Sequence, residues 1–172
     1  MSSVQTAPGP GVVLVGLPPE SEATAQSYAA RGYAVATAGV DETTSVERGL
    51  ELLRAAMDAL AARPDCNGKV AVAGYAYGGR FAFLAVTRLG ADAAAAFHGI
   101  GIGEHLSEAP RVKKPLSFHF ADDDELVPFA EVRAIKGALE GFGTTAIYRY
   151  PNREDLARQA EARAFTVLDE LR

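Results

Sequence analysis

The stretch most able to support chemistry is a glycine-rich turn between a predicted strand and a predicted helix. Its sequence is Gly74-Tyr75-Ala76-Tyr77-Gly78, and it follows the apolar run at residues 69–73. Turns with the spacing G-x-nucleophile-x-G present a serine or cysteine at the central position, where the side chain can attack a carbonyl carbon. Here the central residue is Ala76, whose methyl group cannot form a bond to a substrate.

The same turn could still bind a ligand through its backbone. The N–H of Tyr77 lies at the start of the helix, where donors without an intrahelical acceptor can stabilise an anion. We therefore predict ligand contacts from Tyr75, Ala76 and Tyr77. The glycines are equally well explained as residues that let the strand and the helix approach closely, so both interpretations stay open.

Two further side chains of the predicted sheet edge could act as acid or base. His98 ends the fourth predicted strand, and Asp124 follows the fifth. The carboxyl ends of neighbouring parallel strands meet at one edge, so the two residues are candidate catalytic partners. His98 is also a candidate ligand contact, and a histidine that only lines the pocket is the alternative. Gly16 and Leu17 follow the first strand and are predicted to line the same ligand site.

The remaining titratable side chains are predicted to be structural. His119 lies inside a buried strand, and His105 lies in a long loop where we expect it to be exposed. Cys66 is the single cysteine, which excludes an internal disulfide, and it precedes the third strand at the end away from the pocket. The acidic run at residues 122–125 has no calcium-loop spacing, and we predict no metal and no other cofactor.

Six short apolar runs alternate with helix-length amphipathic segments. The predicted strands are residues 12–15, 33–38, 69–73, 91–98, 116–120 and 145–150. The predicted helices are residues 20–31, 44–62, 78–89, 128–140 and 153–171, and Thr44 with Glu47 forms a capping box for the second. This order predicts an α/β domain with a six-stranded, mainly parallel sheet flanked by helices. We expect residues 1–10 to be a disordered leader and residues 11–172 to be one domain.

Composition excludes several classes of function. The chain has 172 residues and a formal net charge of −5, with no basic stripe, so nucleic acid is not an expected partner. No apolar run approaches the roughly 18 residues that a membrane span needs, so no membrane partner is expected. These features predict a cytoplasmic protein.

Four stretches of the sequence resemble the dienelactone hydrolase family of the α/β-hydrolase superfamily. They are Gly11-Val-Val-Leu-Val, the segment from Asn67 through the glycine turn to Arg80, Ala109-Pro-Arg-Val-Lys-Lys-Pro with its following strand, and Asp122-Asp-Asp-Glu-Leu-Val-Pro. The resemblance implies a minimal α/β-hydrolase fold. It also implies a catalytic triad of nucleophile, histidine and aspartate, in which the aspartate orients the histidine.

The resemblance supplies only one of these three residues. The acid falls on Asp124, and the nucleophile falls on Ala76. The histidine should follow a Tyr-Pro pair after the sixth strand, but Tyr150-Pro151 leads directly to Asn152 and a helix, and no histidine follows His119. The triad is therefore missing two members, in two separate segments.

Three functions are compatible with these losses. The principal hypothesis is a non-hydrolytic subunit, regulator or small-molecule binder that takes a carbonyl or carboxylate ligand. The second is an enzyme on a lactone, ester or related carbonyl compound with altered acid–base chemistry, and the third treats Ala76 as an engineered replacement of the nucleophile. The short connection at residues 39–43 and the lost histidine loop would uncover apolar surface at the carboxyl edge. We therefore expect a protein partner or a second copy to contact these loops.

Overall fold

The computed structural model describes residues 7–16 and 21–172. The strands are β1 (Gly9–Val15), β2 (Ala34–Ala38), β3 (Cys66–Tyr75), β4 (Ala93–Phe97), β5 (Leu116–Ala121) and β6 (Thr145–Tyr150). The helices are α1 (Ser21–Ala30), α2 (Val46–Ala61), α3 (Gly79–Arg88), α4 (Phe129–Leu139) and α5 (Arg153–Leu168). Short 3-10 segments cover Ala76–Gly78, Ile102–Arg111 and Asp169–Leu171.

The strands form one parallel sheet in the order β2-β1-β3-β4-β5-β6. The predicted six-stranded α/β sheet is thus confirmed. The central strands are apolar along both faces because helices cover each side, as expected for a parallel sheet. All strands end at the same edge, which therefore collects the loops after β1, β3, β4, β5 and β6.

Two apolar layers enclose the sheet. One face packs against α2, α3 and α4, with Leu53 of α2, Phe81 of α3 and Ile135 of α4 in its core. The other face packs against α1 and α5 through Tyr28 and Phe165. The sheet is therefore fixed on both sides, and this holds its carboxyl edge in place.

The start of α2 differs from the predicted capping box. Ser45, not Thr44, is the N-cap, and its hydroxyl accepts a hydrogen bond of 3.1 Å from the N–H of Arg48. The Thr44 hydroxyl instead accepts from the N–H of Asp41 at 3.0 Å. The prediction was wrong by one residue because serine and threonine are both good caps, and the loop geometry decides between them.

Several elements extend beyond their predicted bounds. β1 begins at Gly9, inside the segment predicted to be a leader, while residues 1–6 lie outside the described residues. A Cβ on Gly9 would lie 1.9 Å from the Gly32 carbonyl oxygen, so the chain is closely packed there. The long loop predicted after β4 contains the 3-10 segment Ile102–Arg111. No helix in the described parts of the chain is both long and apolar enough to cross a membrane.

Candidate functional site

The glycine turn has the strained geometry of a nucleophile elbow although its central residue is alanine. β3 ends at Tyr75, Ala76 has a φ of 52°, and α3 begins at Gly79 after one 3-10 turn. A positive φ is uncommon for a residue with a Cβ. The turn therefore presents residue 76 at the carboxyl edge, where a nucleophile would lie.

Neighbouring backbone, rather than the side chain of residue 76, sets this geometry. A Cβ on Gly74 would lie 2.2 Å from the Gly78 carbonyl oxygen, and one on Gly78 would lie 2.2 Å from the Val15 oxygen. A Cβ on Gly79 would lie 2.2 Å from the Cα of Gly99. Glycine is thus required at all three positions for strand and helix to approach this closely. The structural interpretation of the glycines is therefore confirmed, and the ligand-binding role of the turn stays a prediction.

His98 lies next to Ala76 at the ends of adjacent strands. Tyr75 pairs with Phe97 in the register of β3 and β4, so Ala76 and His98 are the next residues along. His98 also has a positive φ, 38°, and the Ile100 N–H donates to the Ala76 carbonyl oxygen at 2.9 Å. The structure therefore brings the predicted base beside the position of the missing nucleophile.

The His98 ring is kept neutral by its surroundings. Burial is the largest cause that lowers its pKa, the positive charge of Arg153 lowers it further, and Asp124 partly opposes this by raising it. Its buried Nδ1 has no hydrogen-bond partner among the described residues. A neutral imidazole has one unprotonated ring nitrogen, and this nitrogen can accept a proton.

Asp124 has an arginine partner in the place where the family resemblance implied a histidine. The side chain of Asp124 is only 2% exposed, and its Oδ1 accepts from Arg153 Nη2 at 3.0 Å and from the Leu126 N–H at 3.0 Å. Arg153 is the first residue of α5, directly after the shortened loop that follows β6. An arginine stays protonated, so Arg153 can orient a charge but cannot accept a proton.

Arg153 was not among the residues predicted to take part in the site. The signal that could have found it was its position, since it follows the sixth strand where the acid's partner is expected. Asp124 and His98, predicted as catalytic partners, lie close enough for their charges to interact. The side-chain hydrogen bonds of Asp124 among the described residues go to Leu126 and Arg153, however, and none joins it to His98.

The predicted ligand contacts differ in how available they are. Tyr77 follows Ala76 in the 3-10 turn, and its hydroxyl lies 3.4 Å from the Glu42 carboxylate. Gly16 lies beside the elbow with a φ of 72°, but its N–H donates to the Ala38 carbonyl oxygen at 3.3 Å and is already satisfied. Leu17 lies outside the described residues.

Tyr75 is packed away from the elbow in the free protein. Its ring stacks on Phe97 with centroids 4.7 Å apart, and its hydroxyl is 3.0 Å from the hydroxyl of Tyr28 on α1. Burial raises its pKa well above the usual 10. The side chain of Tyr75 therefore belongs to the layer between the sheet and α1, where its contacts with Phe97 and Tyr28 hold the end of β3 in place.

A cavity of about 430 Å³ opens between the loops after β4 and β5. It includes Ile100, whose N–H contacts Ala76, and Leu126, whose N–H contacts Asp124. Leu106 adds an apolar wall, and Glu104 and Glu131 add carboxylates. The cavity is large enough for a small organic molecule. It approaches the elbow through Ile100, and neither Ala76 nor His98 is among its lining residues.

The residues predicted to be structural have mixed outcomes. His119 is fully buried and satisfied on both nitrogens, by Ser117 and by the Tyr150 hydroxyl at 3.0 Å each, which confirms its structural role. Cys66 is buried at the start of β3, the opposite end of that strand from Ala76. The prediction for His105 was wrong: its side chain is only 13% exposed, because the 3-10 segment folds it against Glu108.

The acidic run after β5 is engaged by arginines. Asp122 pairs with Arg149 at 2.8 Å, and Asp124 pairs with Arg153. Within the described ranges, no group of three or more His, Cys, Asp or Glu side chains is arranged to hold a metal ion.

Comparison with known proteins places this site in a family. The model of the dienelactone hydrolase family matches residues 20–154, which is most of the chain. This chain belongs to the dienelactone hydrolase family.

The family member has enzymes among its relatives. It is 35% identical over 102 residues to a carboxymethylenebutenolidase of Pseudomonas putida, which covers 59% of this chain and 42% of that protein. It is 33% identical over 118 residues to carboxymethylenebutenolidase 1 of Cupriavidus pinatubonensis, covering 67% of this chain and 49% of that protein. The family member thus spans less than half the length of either relative.

Solved structures support the fold. An esterase of Pyrococcus furiosus superposes with a TM-score of 0.79 at 15% identity, covering 96% of this family member and 84% of the esterase. At this identity the likeness shows the α/β-hydrolase fold alone. The resemblance inferred from the four sequence stretches is thereby confirmed, as is the fold that it implied.

Proposed function

We propose that this dienelactone hydrolase family member hydrolyses a small ester or lactone without an acyl-enzyme, with water as the nucleophile and His98 as the general base. The observation that carries the proposal is the adjacency of Ala76 and His98, each at a positive φ at the ends of β3 and β4. The carboxymethylenebutenolidase relatives support a carbonyl substrate of this class.

The reaction follows from the groups at the edge. His98 removes a proton from water, and the hydroxide forms a bond to the carbonyl carbon. The carbonyl oxygen takes up the electron pair, and the Tyr77 N–H stabilises the resulting charge. When the tetrahedral intermediate collapses, the bond from carbon to the leaving oxygen breaks, and protonated His98 returns its proton to that oxygen.

The small side chain of Ala76 suits a mechanism in which water is the nucleophile. A methyl group replaces the larger side chain of a serine or cysteine, which leaves space beside His98 for a water molecule. The cavity that begins at Ile100 has apolar walls from Ile100, Leu106 and Leu126, which suit the alkyl part of a small ester. A positioned base contributes roughly 10²–10⁴-fold, far below a complete triad, so slow turnover is expected.

The test is hydrolysis of activated esters and small lactones by the purified protein. We expect steady turnover without an initial burst, because no acyl-enzyme forms. His98→Gln should reduce kcat/KM by about 10²-fold or more. His105→Gln is the matched control and should leave kcat/KM unchanged. Turnover that survives His98→Gln, or a burst of one equivalent, would overturn the proposal.

A second candidate function is binding without hydrolysis, and the Asp124–Arg153 pair favours it. The acid that would orient a catalytic histidine is held instead by an arginine that cannot exchange protons. In this function the Tyr77 N–H and the cavity bind a carbonyl or carboxylate compound and release it unchanged. Calorimetry with γ-butyrolactone and maleate tests it: saturable binding with no product identifies a binder, whereas product identifies an enzyme.

A further inference from the structure

The open side of β6 carries a groove that the carbonyl site does not use. The groove has a volume of about 630 Å³ and lies between β6 and α4. Its lining combines apolar and basic side chains, chiefly Phe129, Val132, Ile147, Arg133, Lys136 and Arg149. Phe129 is 53% exposed, which is unusual for a large apolar side chain at the start of a helix.

β6 is the last strand of the sheet, so half of its backbone groups point outwards. The Tyr150 carbonyl oxygen accepts from the Asp122 N–H at 2.8 Å, and the Thr144 oxygen accepts from the Leu116 N–H at 3.0 Å. The backbone N–H and C=O groups of the even-numbered residues therefore point towards β5. Because successive residues of a strand alternate in direction, the N–H and C=O groups of the odd-numbered residues at 145, 147 and 149 point away from the sheet.

The same odd-numbered residues also direct their side chains into the groove. Thr145, Ile147 and Arg149 line it, while Tyr148 and Tyr150 face α5 on the opposite side. The outward-pointing backbone groups and the groove thus coincide along one strand. A polypeptide in extended conformation can satisfy both at once, because its own backbone and side chains alternate with the same period.

The charge of the groove is opposite to that of the whole protein. Arg133 and Lys136 are exposed on α4 and form no salt bridge with any residue in the described ranges. Arg149 pairs with Asp122 and lies over the Phe129 ring at 4.4 Å. Glu140 adds one carboxylate to the lining. Since Arg149 is already paired with Asp122, two cations without a salt bridge, Arg133 and Lys136, face the single carboxylate of the lining. In a chain of net charge −5, this local excess of positive charge favours an anionic partner.

We propose that β6 binds an extended acidic peptide segment of another protein as an added strand. Every second side chain of the segment enters the groove, where acidic residues meet Arg133 and Lys136, and apolar residues pack on Phe129 and Val132. A second copy of this chain fits poorly, because pairing β6 with β6 about a two-fold axis would bring the two basic grooves together. The surface is separate from the carboxyl-edge loops and does not depend on the carbonyl chemistry.

Fluorescence anisotropy tests the charge requirement with the whole chain. The probe is a fluorescein-labelled peptide with the repeat Glu-Ser-Val-Ser, which places glutamates and valines in alternation on one face of the strand. We expect saturable binding that weakens as salt rises. The double variant R133E/K136E should bind about tenfold more weakly or worse. The control K113E/K114E reverses two exposed charges on the loop before β5 and should bind like the parent protein.

A second peptide tests the strand itself without changing the protein. N-methylation of alternate amides removes the donors that would pair with β6 and keeps every side chain, so we expect about tenfold weaker binding. Equal binding of the methylated peptide, equal binding by R133E/K136E, or no binding at millimolar peptide would each overturn the proposal. A dimer seen in sedimentation that dissociates in R133E/K136E would also overturn it and assign the edge to self-association.

Discussion

The Arg153 guanidinium donates to the buried Asp124 carboxylate across 3.0 Å, and both charges act on His98. Arg153 lowers the pKa of His98, whereas Asp124 raises it. The two charges of the ion pair therefore both influence the proton affinity of His98, the proposed base. Burial is the largest cause that lowers the pKa of His98, and the Arg153 charge adds to it. The imidazole therefore takes up a proton less readily than an ordinary histidine does.

Replacing Arg153 should raise the pKa of His98. In Arg153→Gln the positive charge that lowers the pKa of His98 is lost, and the negative charge of Asp124, which raises this pKa, is no longer opposed. Both changes therefore raise the pKa of His98. NMR titration of the three histidines measures this directly. The proposed hydrolysis should then lose activity at a higher pH on its acidic side.

Arg158→Gln is the control for this experiment. Arg158 also lies on α5 and pairs with a carboxylate, Asp155, but it is not among the charges that shift the pKa of His98. An unchanged His98 titration in Arg153→Gln would show that the pair has no such effect.

Replacing Ala76 with glycine should stabilise the protein. A left-handed conformation costs an L-residue about 1 kcal/mol, and glycine adopts it freely. Ala76→Gly should therefore raise the free energy of unfolding by ~1 kcal/mol or slightly less, measured by urea denaturation. Ala134→Gly on the exposed side of α4 should lower it by about 1 kcal/mol, the usual direction. A loss of stability in Ala76→Gly would contradict the strain.

Replacing Gly78 with alanine should prevent stable folding. The added Cβ would lie 2.2 Å from the Val15 carbonyl oxygen, which is backbone and cannot rotate away. We expect a loss of more than ~3 kcal/mol, seen as a collapse of the thermal transition. Gly137→Ala is the matched control, because nothing lies within 4 Å of its Cβ position on α4. It should be neutral or gain about 0.5–1 kcal/mol.

Acid should destabilise the protein through His119. Burial, then the charges of Arg163 and His98, lower the pKa of His119 to about 3, whereas the unfolded chain has about 6.5. Stability is therefore full above pH 6.5 and falls as pH decreases from 6.5 to about 3, because only the unfolded state takes up the proton. Between pH 6.5 and 4.5 the loss is about 2 kcal/mol.

Urea unfolding of the wild type and of His119→Gln, each at pH 6.5 and at pH 4.5, measures this contribution. The variant should be less stable at pH 7, because the hydrogen bonds to Ser117 and Tyr150 change, but its stability should depend less on pH. An equal pH dependence in the two proteins would exclude His119 as the cause.

Local patterns predicted most of the fold, and long-range contacts decided the rest. The apolar runs and the glycine turn located all six strands, and β6 has the predicted bounds. The carboxyl edge gathered Ala76, His98 and Asp124 because parallel strands end together. Arg153 and the burial of His105 were missed, since each depends on which side chain a distant segment brings near. No periodicity within one segment contains that information.

The interlocked glycines around residue 76 have an evolutionary consequence. The turn keeps its shape through Gly74, Gly78 and Gly79, whatever side chain stands between them. Alanine and serine codons differ by a single base, so one point mutation would place a hydroxyl beside His98 without rebuilding the scaffold. The proposed water-based hydrolysis and a covalent mechanism through residue 76 are therefore separated by one genetic step, and lineages could cross that step in either direction.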